Sequence, residues 1–201
     1  MQHHKRFFPF IMLIALVTAC TEQPVTPKPR AYPKVEYPER GTQEFSNTDC
    51  PFTFQYPSYA RIEQDSQFLN REVQAGSCWF DLYIPDFDSR LYCSFYRIGE
   101  KKSLEELKAD AFEMADYHTK RANYIEESVI DLGPERKGIL FTMEGPAATP
   151  FQYYLTDEED YFFRASLYFN AKVNPDSIAP IYQFIREDMM KMIETFEWNA
   201  S

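Results

Sequence analysis

From Cys50 onward, apolar residues recur with two periods, and the period sets the element. Phe52, Phe54 and Tyr56 alternate with Thr53 and Gln55 and stop at Pro57. This predicts a strand over 52–57, continuing after a bend over 59–63. Two aromatic-rich runs, 78–84 and 91–96, flank Pro85-Asp86-Phe87-Asp88-Ser89. They predict a hairpin, and a turn centred on Phe87 would set Cys93 opposite Asp81 and Cys78 opposite Tyr96. The period then lengthens. Leu104, Leu107, Ala111, Met114, Ala115 and His118 recur at helical spacing behind Ser103, with Glu106 placed for a capping box. An amphipathic helix is expected over 103–121.

The runs 127–132, 137–144, 151–156 and 161–169 read as four further strands, with Asp157-Glu158-Glu159-Asp160 turning between the last two. In the last run Tyr161, Phe163, Ala165, Leu167 and Phe169 share one face; Arg164, Ser166 and Tyr168 lie on the other, with Phe162. Asn174-Pro175 and Pro180 open a final helix. Its apolar stripe is Ile178, Ile181, Tyr182, Ile185, Met189, Met192 and Phe196. The order β-β-β-α-β-β-β-β-α with short links predicts an α+β domain, a largely antiparallel β-sheet packed with helices. No repeat or second domain is visible. The many aromatics fill the core between sheet and helices, and some Tyr and Phe on the outer face form an interface patch.

The N-terminus has a different pattern. Lys5 and Arg6 precede an apolar run from Phe7 to Ala19, broken only by Pro9 and Thr18. The run is shorter than the ~20 residues of a membrane-crossing helix and fits a secretory signal. It ends Val17-Thr18-Ala19-Cys20, which resembles a bacterial lipobox. That motif makes 1–19 a lipoprotein signal peptide and Cys20 the lipid attachment site, whose thiol forms a thioether to diacylglycerol. Two or three acyl chains anchor stably to a bilayer where one is marginal. Thr21 follows Cys20 in place of the Asp that retains such proteins at the inner membrane, so the outer membrane is favoured. Residues 20–45 carry the lipidated Cys and a tether with Pro24, Pro27, Pro29, Pro33 and Pro38. An extended proline-rich segment of that length reaches roughly 60 Å. Residues 46–199 form the single globular domain.

Charge narrows the partners. The 201-residue chain has a net charge of −10, and loss of Lys5 and Arg6 with the signal leaves −12. Such a chain is a poor ligand for a phosphate backbone, so no nucleic acid partner is expected. Six glycines leave little room for phosphate-cradling loops. His118 falls on the apolar or border face of its helix and reads as structural. Asp86 and Asp88 offer too few oxygens for calcium, and the acidic run 157–160 reads as a solvated turn. No catalytic, metal or cofactor site is expected, and the protein reads as no enzyme. After lipidation Cys50, Cys78 and Cys93 remain in an oxidising compartment. The hairpin register disfavours Cys78–Cys93. We expect Cys50–Cys78 with Cys93 a free buried thiol; the alternative keeps all three reduced.

Three stretches carry a family resemblance: Pro27-Lys28-Pro29-Arg30-Ala31-Tyr32, Cys50-Pro51-Phe52 leading to Tyr56-Pro57-Ser58-Tyr59-Ala60, and Cys78-Trp79-Phe80 leading to Pro85-Asp86-Phe87. Pro150-Phe151-Gln152-Tyr153-Tyr154-Leu155-Thr156-Asp157 fits as well. Together they resemble the gliding motility lipoprotein GldD family of the Bacteroidota, over nearly the whole mature chain. The resemblance implies a periplasm-facing, membrane-anchored accessory of gliding motility and of the linked type IX protein secretion machinery, partnered by an envelope protein complex and by the bilayer through Cys20. It implies Cys at positions 50 and 78, in agreement with the expected bridge. More weakly, the strand and helix motifs are similar to the PsbP/Mog1-like α/β/α sandwich. The alternative function is a periplasmic lipoprotein that binds a small envelope ligand, glycan or lipid.

Overall fold

A computed structural model describes residues 34–64, 78–117, 122–145, 149–170 and 175–199, all within one structural unit, Tyr32–Ser201. The strands are β1 (Thr42–Ser46), β2 (Phe52–Pro57), β3 (Arg61–Glu63), β4 (Phe80–Ile84), β5 (Ser89–Arg97), β6 (Tyr124–Asp131), β7 (Lys137–Glu144), β8 (Phe151–Thr156), β9 (Tyr161–Phe169) and β10 (Glu197–Trp198). The helices are α1 (Leu104–Asp116) and α2 (Pro175–Glu194). A seven-stranded sheet runs β3-β4-β5-β9-β8-β7-β6, and a small sheet runs β1-β2-β10. All the strand pairs are antiparallel, so the fold is α+β, as expected.

One face of the large sheet is covered by the small sheet and α2. The side chains that meet there are mostly phenylalanine and aliphatic: Phe52 and Phe54 from β2, Phe80 from β4, Phe163 from β9, Met189 from α2 and Phe196 beyond it. Phe45 stacks on Phe80 at 4.6 Å and on Phe54 at 4.8 Å. Burying each such ring contributes about 1.5–3 kcal/mol. The second face is covered in part, by α1. Leu107, Ala111 and Ala115 of α1 lie on Phe141 and Met143 of β7, Tyr154 of β8 and Phe162 of β9. Phe162 is thereby buried on the face opposite Phe163. At Gly138 in β7 the backbone comes so near β8 that a Cβ would lie 1.8 Å from the Tyr154 carbonyl oxygen.

Local signals account for the ends. Ser103 and Glu106 form the expected capping box: Glu106 N–H donates to Ser103 Oγ at 3.3 Å, and Ser103 N–H to Glu106 Oε2 at 2.8 Å. Asp157 closes the β8–β9 turn by accepting the N–H groups of Glu159, Asp160 and Tyr161 at 2.8–3.1 Å.

Several expectations need correction. β1 begins inside the stretch assigned to the tether and was not foreseen; Phe45 is its one buried residue, too little to mark a period. β10 is two residues long and equally silent. In the β4–β5 hairpin Cys93 faces Phe80, and Asp81 faces Tyr92, one residue out from the expected register. The reason is a 3-10 turn over Pro85–Phe87 followed by Asp88 in the left-handed conformation, φ 42°. That four-residue link centres the hairpin between Asp86 and Phe87. Helix α1 ends at Asp116, and its Met114 is exposed. Pro180 lies inside α2 and does not open it.

Candidate functional site

Cys20 and His118 lie outside the described residues. Cys50 and Cys78 form a disulfide with Cα atoms 5.4 Å apart. Cys50 ends the β1–β2 turn, where its N–H donates to the Asn47 carbonyl at 3.0 Å, and Cys78 leads into β4. The bridge therefore staples the small sheet to the large one. Cys93 is a free, buried thiol on the covered face of β5. Burial, reinforced by the Asp81 charge, pushes it well above the ordinary thiol range. Asp88 has structural partners: its Oδ2 accepts from Asn170 Nδ2 at 3.0 Å and its Oδ1 from Tyr83 Oη at 3.3 Å. Glu158 pairs with Lys108 and Lys137. Among the described residues, no three His, Cys, Asp or Glu side chains are grouped to hold a metal ion.

The aromatics divide between core and surface. Among the described residues, α1 packs on the β7-β8-β9 side of the second face and not on β3 or β4. Toward β4 the alternation that buries Leu91, Cys93 and Leu167 inside turns Arg90, Tyr92 and Tyr168 outward. Tyr92 and Tyr168 are each 41% exposed and meet edge to face, ring centres 6.2 Å apart. Beside them Arg90 lies over the Tyr83 ring at 4.2 Å and Arg61 over the same ring at 4.9 Å. Glu63 accepts from Arg90 at 2.6 Å and from Arg61 at 2.7 Å. The Arg90 hydrogen bond in particular holds the Glu63 carboxyl below its usual range. Such exposed pairs add little stability each, about 0–1 kcal/mol. Their effect is geometric: both guanidinium planes are fixed beside a tyrosine surface.

A second cluster was missed from sequence. Before β1, Tyr37 packs on Phe184 of α2 at 4.8 Å and on Phe87 at 6.1 Å. Arg40 pairs with Asp188 at 3.0 Å and Glu187 at 2.7 Å and lies over the Phe184 ring at 4.2 Å. Tyr59 Oη donates to Asp188 Oδ2 at 2.5 Å. Burial first, and that hydrogen bond second, raise the Tyr59 phenol far above its ordinary range. The available signal was Asp188, an acid set between Ile185 and Met192 on an apolar stripe; a buried carboxylate requires a cation or donor.

Fold and surface thus define a small antiparallel-sheet domain with one closed face and one partly open, tyrosine-rich face. The chain belongs to the gliding motility lipoprotein GldD family, whose family model matches residues 22–198. Membership associates it with gliding motility and with membrane anchoring as a lipoprotein. No helix among the described residues is long and apolar enough to cross a membrane. A similar solved structure is cyanobacterial PsbP (CyanoP) from Synechocystis sp. PCC 6803, at 10% identity and TM-score 0.48, covering 80% of this chain and 94% of that one. No curated protein matches the chain.

Proposed function

We propose that the protein is a lipid-anchored, non-enzymatic accessory of the gliding motility machinery and of the linked type IX protein secretion machinery, docking on an envelope protein complex. Acylated Cys20 holds it in the bilayer, facing the periplasm, with the outer membrane favoured because Thr21 follows the lipidated residue. The proline-rich tether carries the domain to its partner, and tethering makes a weak contact sufficient by raising the local concentration. The observation that carries the docking role is the surface formed by exposed Tyr92 and Tyr168 beside half-buried Tyr83, with Arg61 and Arg90. Tyr and Arg are the residue types that dominate binding energy at protein interfaces. The non-enzymatic reading draws support from the most displaced proton affinities. Those of Tyr59, Tyr153 and Cys93 are explained first by burial.

The test is crosslinking in cells followed by capture on a C-terminal tag. Gliding or secretion components should be enriched with the wild type and lost with Cys20→Ser and with Tyr92→Ser/Tyr168→Ser. Recovery of no such component above background refutes the reading.

A further inference from the structure

Between α1 and the second face of the large sheet lies a cleft of about 560 Å³, within the ~300–1,000 Å³ typical of small-molecule sites. Its floor is Tyr96 of β5 and Arg164 of β9; its walls are Asp110, Glu113 and Met114 of α1 with Tyr117 just past the helix end, and Lys101 and Lys102 stand before the helix start. Lys102 is paired with Asp110. Arg164 has no carboxylate within 4.0 Å among the described residues; its Nη2 donates to Tyr96 Oη at 3.5 Å, and its guanidinium lies 5.9 Å from the Tyr96 ring centre. Lys101 likewise has no ion pair among the described residues. Of the two acids in the cleft wall, Asp110 is taken by Lys102 and neither Asp110 nor Glu113 comes within 4.0 Å of Arg164. In a chain with ten more acids than bases, a half-buried guanidinium left without an ion pair at the back of a cleft marks a place for a ligand's anion. The planar guanidinium fork matches a carboxylate through two parallel hydrogen bonds.

The rest of the cleft indicates what carries that carboxylate. Tyr117 is 74% exposed and Met114 is 40% exposed, so each presents apolar surface at the mouth. A sugar ring, apolar on one face and polar at its rim, fits between such side chains and the Tyr96 ring. An extended peptide fits less well. At the floor β9 is flanked by β5 and β8, and where β5 runs past the end of β4 its Phe95 carbonyl accepts from Trp79 Nε1 at 2.7 Å, so strand addition there finds that acceptor taken. We propose that this cleft binds an acidic sugar of the hexuronate class, with Arg164 taking the carboxylate, Lys101 adding a second cation, and Tyr96 and Tyr117 contacting the ring. This goes beyond the docking role and does not depend on it.

The test is a ligand-observed saturation-transfer NMR titration of the full-length lipidated protein in detergent micelles, with empty micelles as control. Sodium D-glucuronate is the probe, and D-glucose, acetate and an acidic tripeptide are comparators. Glucuronate should bind saturably, and glucose and acetate roughly tenfold or more weakly, since losing either the charge or the ring costs a full decade of affinity. Arg164→Met should abolish saturation. Tyr117→Ala, at a position 74% exposed, should weaken binding about threefold or more while leaving the unfolding transition near that of the wild type. It decides the matter even if the Arg164 variant misfolds. Absence of saturable glucuronate binding overturns the proposal. So does equal binding of acetate, tighter binding of the tripeptide, or wild-type affinity in Tyr117→Ala.

Discussion

The two faces of the seven-stranded sheet are built from the same strands and differ in nearly every respect. In β9, Phe163, Ala165, Leu167 and Phe169 enter the closed face, while Arg164, Ser166 and Tyr168 enter the open one. In β5, Leu91, Cys93 and Phe95 oppose Arg90, Tyr92 and Ser94. The closed face relies on phenylalanine, which needs no hydrogen bond and can be wholly dry. On its β4 side the open face relies on tyrosine, whose ring offers apolar contact and whose hydroxyl tolerates water. Stability and recognition are thus separated by a strand's thickness, and a change of side-chain class on one face should leave the other's role intact.

The largest break is expected at the centre of the closed face. Phe163 is fully buried and within ring contact of Phe52, Phe54, Tyr153 and Phe196. Phe163→Ala should cost about 3–5 kcal/mol in urea unfolding. Opening the Cys50–Cys78 staple comes next. Cys50→Ser/Cys78→Ser should cost about 2–4 kcal/mol, and reductant should reproduce the loss in the wild type and leave the variant unchanged.

Alkaline pH sharpens the contrast further. Cys93 and Tyr153, both on the closed face, and Tyr59 have proton affinities raised chiefly by burial. The folded state therefore keeps protons that the unfolded chain releases near pH ~8.5 for the thiol and ~10 for the phenols. Their contribution is complete below about pH 8.5 and is lost as pH rises, at about 1.4 kcal/mol per pH unit for each titrating group. Cys93→Ala should flatten the slope between pH 8.5 and 10. The smallest effect belongs to the open face. Tyr92→Ser/Tyr168→Ser should move the unfolding free energy by only about 0.5 kcal/mol, as chemical denaturation can verify, while partner capture is lost.

How much of this was legible depended on whether a residue's role showed in its spacing. The strands 137–144, 151–156 and 161–169 and the split of β9 into two faces follow from alternation, because burial on one face leaves a period of two. The Ser103–Glu106 cap was legible because its chemistry is local. The bridge was legible because few cysteines remained to pair. β1 was hidden because a strand with one buried residue has no period. The register of Cys93 slipped because the link at Asp86–Asp88 takes a 3-10 turn, and shifting one residue exchanges the faces. The Arg40–Asp188 pair and the Arg164 cleft depend on residues far apart in the chain, and no local pattern announces either.

That Arg40–Asp188 pair has a mechanical consequence. A pull transmitted along the N-terminal segment toward the domain meets Tyr37 and Arg40 on α2 before it reaches β1. They are held by a few side-chain contacts, one of them to the buried Asp188, whereas β1 is held by a ladder of backbone hydrogen bonds. Under load the first should part earlier than the second. Residues 34–41, drawn straight at ~3.3 Å each, span at most roughly 26 Å, and the reach gained is that length less the distance they already cover. Single-molecule pulling from residue 34 should show this short extension ahead of the main unfolding event, at lower force in Asp188→Asn. The domain thus carries a short length of slack that spends itself before the fold is put at risk.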